Sequence, residues 1–371
     1  MKNKVNIVMP DKKQKKWFLT TVFMTAGALL AILAVMAVID PYFHFHGPLK
    51  GVSYRLYSER YMNNGIARHF EYDAVITGSS MNQNFKTSMM DELFGTDAIK
   101  SPFSGAAFEE IKENLEVALK SGNDVKYVLW GLDYNGLNRD YDWQGYSEYP
   151  EYLYDDNLWN DTSYVFNKTI LFEGLINTFL WNLSGEDTTT FDEYSTWEGG
   201  RGWDSISHTY RRSAQILPME TITEDEIGRV TRNITENIVK LANAYPDTEF
   251  ILFYTPYSVL YWESLYRDGW LEKQIQMEQI ATELMLECEN ISLFNFCRET
   301  QITDEIEYYR DKEHYVAEIN DMIMQWIAQG RGLVTRDNYK DNLAWELEYY
   351  MNFDYDKLYV GYEQYMTPWQ E

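Results

Sequence analysis

Apolar positions in this chain follow three patterns, and each predicts a different kind of element. From Trp17 to Ile39 the sequence runs 23 residues without a charged side chain. At about 1.5 Å per helical residue, such a run crosses the ~30 Å hydrocarbon core of a bilayer. From Asp73 onward, short continuous apolar runs alternate with stretches of helical period, the pattern of βα units around a parallel sheet. Between and after these lie segments dense in Tyr, Trp and acidic residues that follow neither period.

The apolar runs predict strands at Asp73–Thr77, Asp97–Lys100, Lys126–Leu132, Glu249–Thr255 and Ile291–Phe296. They are continuous rather than alternating, as strands covered on both faces should be. Apolar residues at Phe108, Ile111, Leu115, Ala118 and Leu119 recur at helical spacing and predict a helix with one buried stripe. Further helices are expected over Thr223–Ala244, opened by the capping-box pattern Thr223-Glu224-Asp225-Glu226, and over Glu263–Cys288 and Tyr315–Gln329. The expected fold is an α/β three-layer sandwich with a five-stranded, mostly parallel sheet, preceded by one transmembrane helix.

The chain thus divides into a basic tail (1–16), a transmembrane helix (17–39), a connector with little structure (40–72), an α/β domain (73–330) and an acidic-aromatic tail (331–371). The tail reads either as a helix docked on the domain or as a partner-binding segment. Within the domain, an insertion of about 85 residues, 136–219, is far longer than a βα loop needs. It carries Tyr141, Trp143, Tyr146, Tyr149, Tyr152, Tyr154, Trp159, Trp181, Trp197 and Trp203. Insertions at such a position lie beside the carboxyl ends of the strands, where ligands bind, so a lid or sugar subsite is expected, with packing as the alternative for any single ring.

Charge sets the topology. Lys2, Lys4, Lys12, Lys13, Lys15 and Lys16 precede the apolar run against Asp11 alone, which holds the N-terminus in the cytoplasm and exports the chain beyond residue 40. A cleaved signal would export the same domain, but its apolar stretch is usually only ~7 to 15 residues and ends in small residues. Here the run exits through Asp40-Pro41-Tyr42-Phe43, which suits an interfacial belt. Taking six lysines and one aspartate from totals of 32 basic and 58 acidic residues leaves the exported part with a formal charge of −31. Nucleic acid is a poor partner for such a field, and neutral or weakly charged glycans approach it more easily than a polyanion.

Candidate chemistry sits at the end of the first strand and just ahead of the last helix. Val75-Ile76-Thr77-Gly78-Ser79-Ser80-Met81-Asn82 places a serine just past a strand, ahead of a helical stretch beginning near Phe85. Tyr308-Tyr309-Arg310-Asp311-Lys312-Glu313-His314-Tyr315 places an imidazole and a carboxylate three residues apart before the last helix. A hydroxyl needs a base to attack a carbonyl, and histidine held in one tautomer by a carboxylate is the usual choice. Each motif alone is also an ordinary helix cap; together they predict Ser80 as nucleophile, His314 as base and Asp311 as its orienter. His44, His46, His69 and His208 have no carboxylate at such spacing. No zinc-ligand spacing appears, no cofactor is implied, and Cys288 and Cys297 read as unpaired core thiols, a disulfide being permitted but not required.

These residues resemble the SGNH/GDSL hydrolase superfamily, with Gly-Ser after the first strand, Gly105 after the second, a polar loop after the third and Asp-x-x-His before the last helix. The resemblance covers residues 73–330 and is nearest the membrane-anchored members with Gly-Ser-Ser in place of Gly-Asp-Ser, such as D-alanyl transfer proteins and alginate O-acetyltransferases. It implies a flavodoxin-like sheet and Ser80, not Ser79, as nucleophile. It also implies an oxyanion hole from the backbone N–H groups of Ser80 and Gly105 and an asparagine after the third strand. There the sequence has Asp133-Tyr134-Asn135 instead, so either Asn135 takes the asparagine's part or Asp133 is structural or binds substrate; Asp133, Tyr134 and Trp143 are the residues expected to contact substrate. The activity implied is acyl transfer or ester hydrolysis on a cell-envelope glycan, with an acylated donor and a multi-pass membrane acyl-transfer partner. Asp133 also leaves open a non-catalytic glycan-binding or scaffold protein of an envelope export complex.

Overall fold

Five strands form a parallel sheet in the order β2-β1-β3-β4-β5: β1 Ala74–Gly78, β2 Ala98–Lys100, β3 Tyr127–Leu132, β4 Glu249–Tyr254 and β5 Ile291–Asn295. Pairing is in register along each interface, for example Val75 with Ile99 and Val128, and Leu252 with Leu293. Nearly every strand residue is buried, as continuous Val, Ile, Leu and Phe runs require when helices cover both faces. The computed structural model describes residues 11–145, 150–155, 157 and 159–366. Lys2, Lys4, Tyr146 and Tyr149, singled out above, lie outside the described residues.

The order reverses direction between β1 and β3, which makes the carboxyl ends of those strands the topological switch point where a doubly wound sheet leaves a crevice. Right-handed crossovers put the helix after β1, Thr87–Phe94, and the helix after β5, Ala317–Ala328, on one face, and these two pack together. The other face takes Phe108–Lys120, the helical run 224–244 and Leu271–Met285. The result is the three-layer α/β sandwich with one apolar N-terminal helix, Lys12–Ile39.

Two local expectations change, and the final segment takes the first of its two readings. The connector contains a helix, Glu59–His69, whose buried side includes Asn63 and Asn64 beside Met62 and Ile66. Asn63 donates to the Pro102 carbonyl at 2.6 Å, so its burial is satisfied by tertiary contact rather than by an apolar stripe. The single helix expected over Glu263–Cys288 is two, Val259–Arg267 and Leu271–Met285, because Gly269 adopts φ +74° and turns the chain. In the final segment, Tyr339–Asn352 is a helix packed on Leu271–Met285, with Tyr350 stacked on Trp262 at 4.6 Å.

The chain divides into two units. One holds Leu56–Pro150 and Thr189–Glu371, and thus the sheet; the other holds the chain up to Arg55 together with Glu151–Thr188. The middle of the insertion therefore belongs with the apolar helix, and its two flanks belong with the sheet.

Candidate active site

β1 delivers the serine. Gly78 at φ +136° turns the backbone where a side chain would collide with Asn82, an ideal Cβ lying 2.3 Å from its Oδ1. Ser79 Oγ then accepts from the Met81 N–H at 3.2 Å and caps a single tight turn, Ser80–Asn82. Ser79 is buried, whereas Ser80, one residue on, is partly open to solvent. Asn320 of the last sandwich helix donates to the Met81 carbonyl at 2.9 Å and braces this turn from the opposite end of the sequence.

The histidine arrives on a loop closed on itself and clamped to the segment that leaves β4. Arg310 N–H donates to the His314 carbonyl at 2.8 Å, and Val316 N–H to the Tyr308 carbonyl at 2.9 Å. Tyr309 O–H donates to the Pro256 carbonyl at 2.7 Å, and Ser258 O–H to that of Lys312 at 2.8 Å. Within the loop, Asp311 Oδ1 accepts from the backbone N–H of Glu313 and His314 at 2.8 and 2.7 Å, while Oδ2 meets His314 Nδ1 at 2.8 Å. Both carboxylate oxygens are used, so the side chain cannot swing away.

His314 Nε2 lies 2.8 Å from Ser80 Oγ. An ionised carboxylate only accepts, so Nδ1 carries the hydrogen toward Asp311 and Nε2 is left to accept from the serine hydroxyl. Burial alone would lower the His314 pKa, but the hydrogen bond and charge of Asp311, with Glu313 and Asp133 nearby, raise it above the ordinary 6.5. Burial alone would raise Asp311; His314 and the two backbone donors outweigh it and hold the carboxyl below its usual 3.8.

A cavity of about 220 Å³ opens over this pair, lined among others by Ser80, Gly105, Asp133, Asn135, Arg139 and Trp143. Gly105 has φ +67°, and neither its N–H nor that of Ser80 is spent on a protein acceptor among the described residues. Asn135 lines the cavity, but its amide donates to Glu313 Oε1 at 3.0 Å and its carbonyl accepts from Tyr261 O–H at 3.3 Å. Asp133 Oδ1 accepts from Tyr257 O–H at 2.9 Å, and burial raises its pKa despite hydrogen bonds from Ser79 and Tyr257. Trp143 forms one wall, with the Arg139 guanidinium 4.6 Å above its ring.

Tyr134 is a correction. Its ring is buried in the core, stacked on Tyr254 at 5.5 Å and edge-on to Trp262 at 5.1 Å, and it does not line the cavity. It opens the short helical turn Tyr134–Leu137, where it and Leu137 turn into the core while Asn135 faces out. Among the further residues that reach the site without being assigned to it from sequence are Trp197, Glu313, Tyr257 and Arg139. Glu313 and Tyr257 carry the only available signal, one lying inside the Asp-x-x-His segment and the other just past the carboxyl end of β4. Trp197, one aromatic among many in the insertion, carries none. Among the described residues, no group of three or more His, Cys, Asp or Glu is arranged to hold a metal, and both cysteines are buried and unpaired.

No family model matches the chain, and no curated protein matches it. Among solved structures it is similar to a protein described as a platelet activating factor from Streptococcus pneumonia, at 14% identity and TM-score 0.37, covering 76% of this chain and 90% of that one. It is also similar to an acetyl xylan esterase, Est2A, from the rumen bacterium Butyrivibrio proteoclasticus, at 9% identity and TM-score 0.29, covering 73% of this chain and 64% of that one.

Proposed function

We propose that the chain is a membrane-anchored serine acyl-transfer enzyme, an esterase or O-acyltransferase acting on a cell-envelope glycan outside the cytoplasmic membrane. One observation carries the chemical part: Ser80 Oγ, His314 and Asp311 form a continuous relay with both links at 2.8 Å, although the serine and histidine lie 234 residues apart in sequence. A hydroxyl, an imidazole and a carboxylate in that order perform nucleophilic acyl substitution on unrelated folds.

In the reaction proposed, Ser80 Oγ bonds to an ester carbonyl carbon while its proton passes to His314 Nε2. The carbonyl oxygen becomes an oxyanion within reach of the Ser80 and Gly105 N–H groups, and such preorganised donors supply much of the catalysis in acyl transfer. The ester C–O bond then breaks, and His314 returns the proton to the departing alcohol. Water or a sugar hydroxyl, deprotonated in turn by His314, attacks the acyl-serine and frees Ser80. Trp143 supplies a flat apolar wall of the kind sugar rings stack on. The apolar helix Lys12–Ile39 with lysines on its N-terminal side supports a retained single-pass anchor with the N-terminus in the cytoplasm.

Labelling the purified full chain with a fluorophosphonate tests the reading. Label on the unsubstituted protein that disappears in Ser80→Ala supports it; an intact protein that takes no label refutes it. A second reading, a non-catalytic glycan-binding or scaffold protein, draws on Asp133 standing where an asparagine donor is expected and on Asn135 being held by Glu313. Absence of label together with glycan binding would favour it.

A further inference from the structure

We propose that the inserted helical segment 170–184 is an interfacial membrane helix, lying in the outer lipid–water boundary with one face in the acyl chains. The inference rests on the anchor reading of Lys12–Ile39 and adds a second membrane contact to it.

The apolar helix does not end in a loose linker. Asp40, at φ +44°, is fully buried and collects four donors: His44 N–H at 3.0 Å and Tyr164 O–H at 2.7 Å on Oδ1, Phe45 N–H at 2.7 Å and His46 N–H at 2.9 Å on Oδ2. Tyr54 O–H donates to the Ile39 carbonyl at 2.8 Å. Segment 170–184 packs against this knot. Ile170, Gly174 and Thr178 are its buried side, and Gly174 sits so close that a Cβ there would lie 3.0 Å from the Pro41 ring. Asn182 exchanges two 2.8 Å hydrogen bonds with the backbone of Ser53. The segment is therefore held at the level of residues 41 and 42.

Its other side is apolar and uncovered. Phe172, Ile176, Phe179, Leu180 and Leu183 recur at helical spacing and are 58%, 42%, 64%, 54% and 68% exposed. A stripe of this kind facing water is unfavourable, and on a soluble surface it marks a contact site. Here the occupant follows from continuity: an apolar cavity of about 500 Å³ runs from Leu175, Ile176 and Phe179 to Val35 and Ile39 of the membrane helix itself. The 23-residue run from Trp17 to Ile39 spans ~34 Å, so its last turn comes out at the outer edge of a ~30 Å hydrocarbon core. A helix fastened there, packed on the knot by Ile170, Gly174 and Thr178 and apolar on its open side, lies in the plane of the boundary.

Depth-dependent quenching in the full chain, reconstituted into phosphatidylcholine–phosphatidylglycerol vesicles, tests this. An environment-sensitive fluorophore is attached at Phe179→Cys or Leu183→Cys, with Leu30→Cys reporting the anchor and Asp247→Cys an aqueous surface. Cys288 and Cys297 are buried, and labelling of the unsubstituted chain gives the blank. The expected result is quenching of positions 179 and 183 by shallow nitroxide lipids, with roughly tenfold weaker quenching by iodide than at 247. Lipid quenching at 30 with full iodide quenching at 179 and 183 overturns the interfacial helix and leaves the anchor standing. Iodide quenching at 30 as well removes the anchor reading and this inference with it. Protection of 179 and 183 from both quenchers means that a protein surface covers the stripe, and it overturns the lipid assignment.

Discussion

The indole N–H of Trp197 donates to the carbonyl of Ser80 across 3.0 Å, and the same ring meets the His314 imidazole edge-to-face at 5.5 Å. One residue of the insertion thus touches both ends of the proposed proton-transfer pair. Its own backbone N–H is tied to Asn84 Oδ1 at 3.0 Å, and the Arg310 guanidinium lies 5.6 Å from its ring. Trp197 is a positioning residue that restricts the serine turn and the imidazole to one relative geometry.

Replacing Trp197 with alanine is expected to lower kcat by about 10- to 100-fold on a small activated ester, because misplacing a reacting pair by about 1 Å costs roughly that much. KM for the same ester should change little. Trp197→Phe, which keeps a ring beside His314 but loses the indole donor, should fall between. Steady-state kinetics on the three proteins decides it, and a rise in KM as large as the fall in kcat would assign Trp197 to substrate contact instead.

The acid limb of the rate profile follows from His314. Its neutral form is the base, and its pKa is raised, so kcat/KM should fall as pH drops through a midpoint above 6.5. Asp311→Asn removes the charge that raises it. The midpoint should then move down, while the rate at the plateau drops by about 10³- to 10⁴-fold because the imidazole loses its held tautomer. A pH–rate series with a chromogenic ester reads both effects, and an unmoved midpoint would place the titrating group elsewhere.

The relay residues are legible because each stands at a place that sequence pattern locates well. Ser80 follows an apolar run too short and too β-branched for a helix, and Asp311 and His314 precede a helix of regular period. Right-handed crossovers put the turn after β1 and the helix Ala317–Ala328 on one side of the sheet, and the hydrogen bonds of Tyr309 to Pro256 and of Ser258 to Lys312 then fix the His314 loop beside Ser80. Tyr134 is harder to place because three consecutive polar-tipped residues, Asp133 to Asn135, look alike in sequence, whereas only the turn that Tyr134 opens decides which of them faces the core. Trp197 is illegible for a related reason: the insertion has no period, so nothing local says which of its rings returns to the strand ends. Glu59–His69 escapes pattern reading because its buried side is built from Asn63 and Asn64 as much as from Met62 and Ile66.

Asp133 faces the cavity where an oxyanion donor is expected, and its pKa is raised by burial, with the nearby Glu313 charge adding to the effect. A carboxyl that loses its proton there turns from donor to repelling charge. Asp133→Asn supplies a permanent amide donor of nearly the same shape. The expected outcome is a several-fold gain in kcat/KM that is larger above the Asp133 midpoint than below it, whereas removing the donor altogether, as in Asp133→Ala, should cost up to ~10²-fold where the carboxyl is protonated. Parallel pH profiles of the three proteins test it; loss of activity in both variants at every pH would show that the carboxylate itself is needed.

Stability carries its own pH signature, set by two carboxyls that do not line the serine's cavity. Glu278 and Glu346 are buried together between the helices Leu271–Met285 and Tyr339–Asn352, with Asn295 Nδ2 donating to Glu278 Oε1 at 2.6 Å. Burial raises both, that of Glu346 to about 8. Between 4.5 and about 8 the folded protein keeps a proton on Glu346 that the unfolded chain has released, so folding stability falls as pH rises through that window. Glu346→Gln removes the penalty at a similar volume. It is expected to leave stability near pH 5 almost unchanged and to raise it by ~2 kcal/mol at pH 8, since each tenfold change in proton affinity corresponds to about 1.4 kcal/mol and partial relaxation absorbs the rest. Urea unfolding at the two pH values measures the difference. A variant equally stabilised at both, or destabilised more at pH 8, would mean that Glu346 is ionised in the folded chain and balanced by a partner.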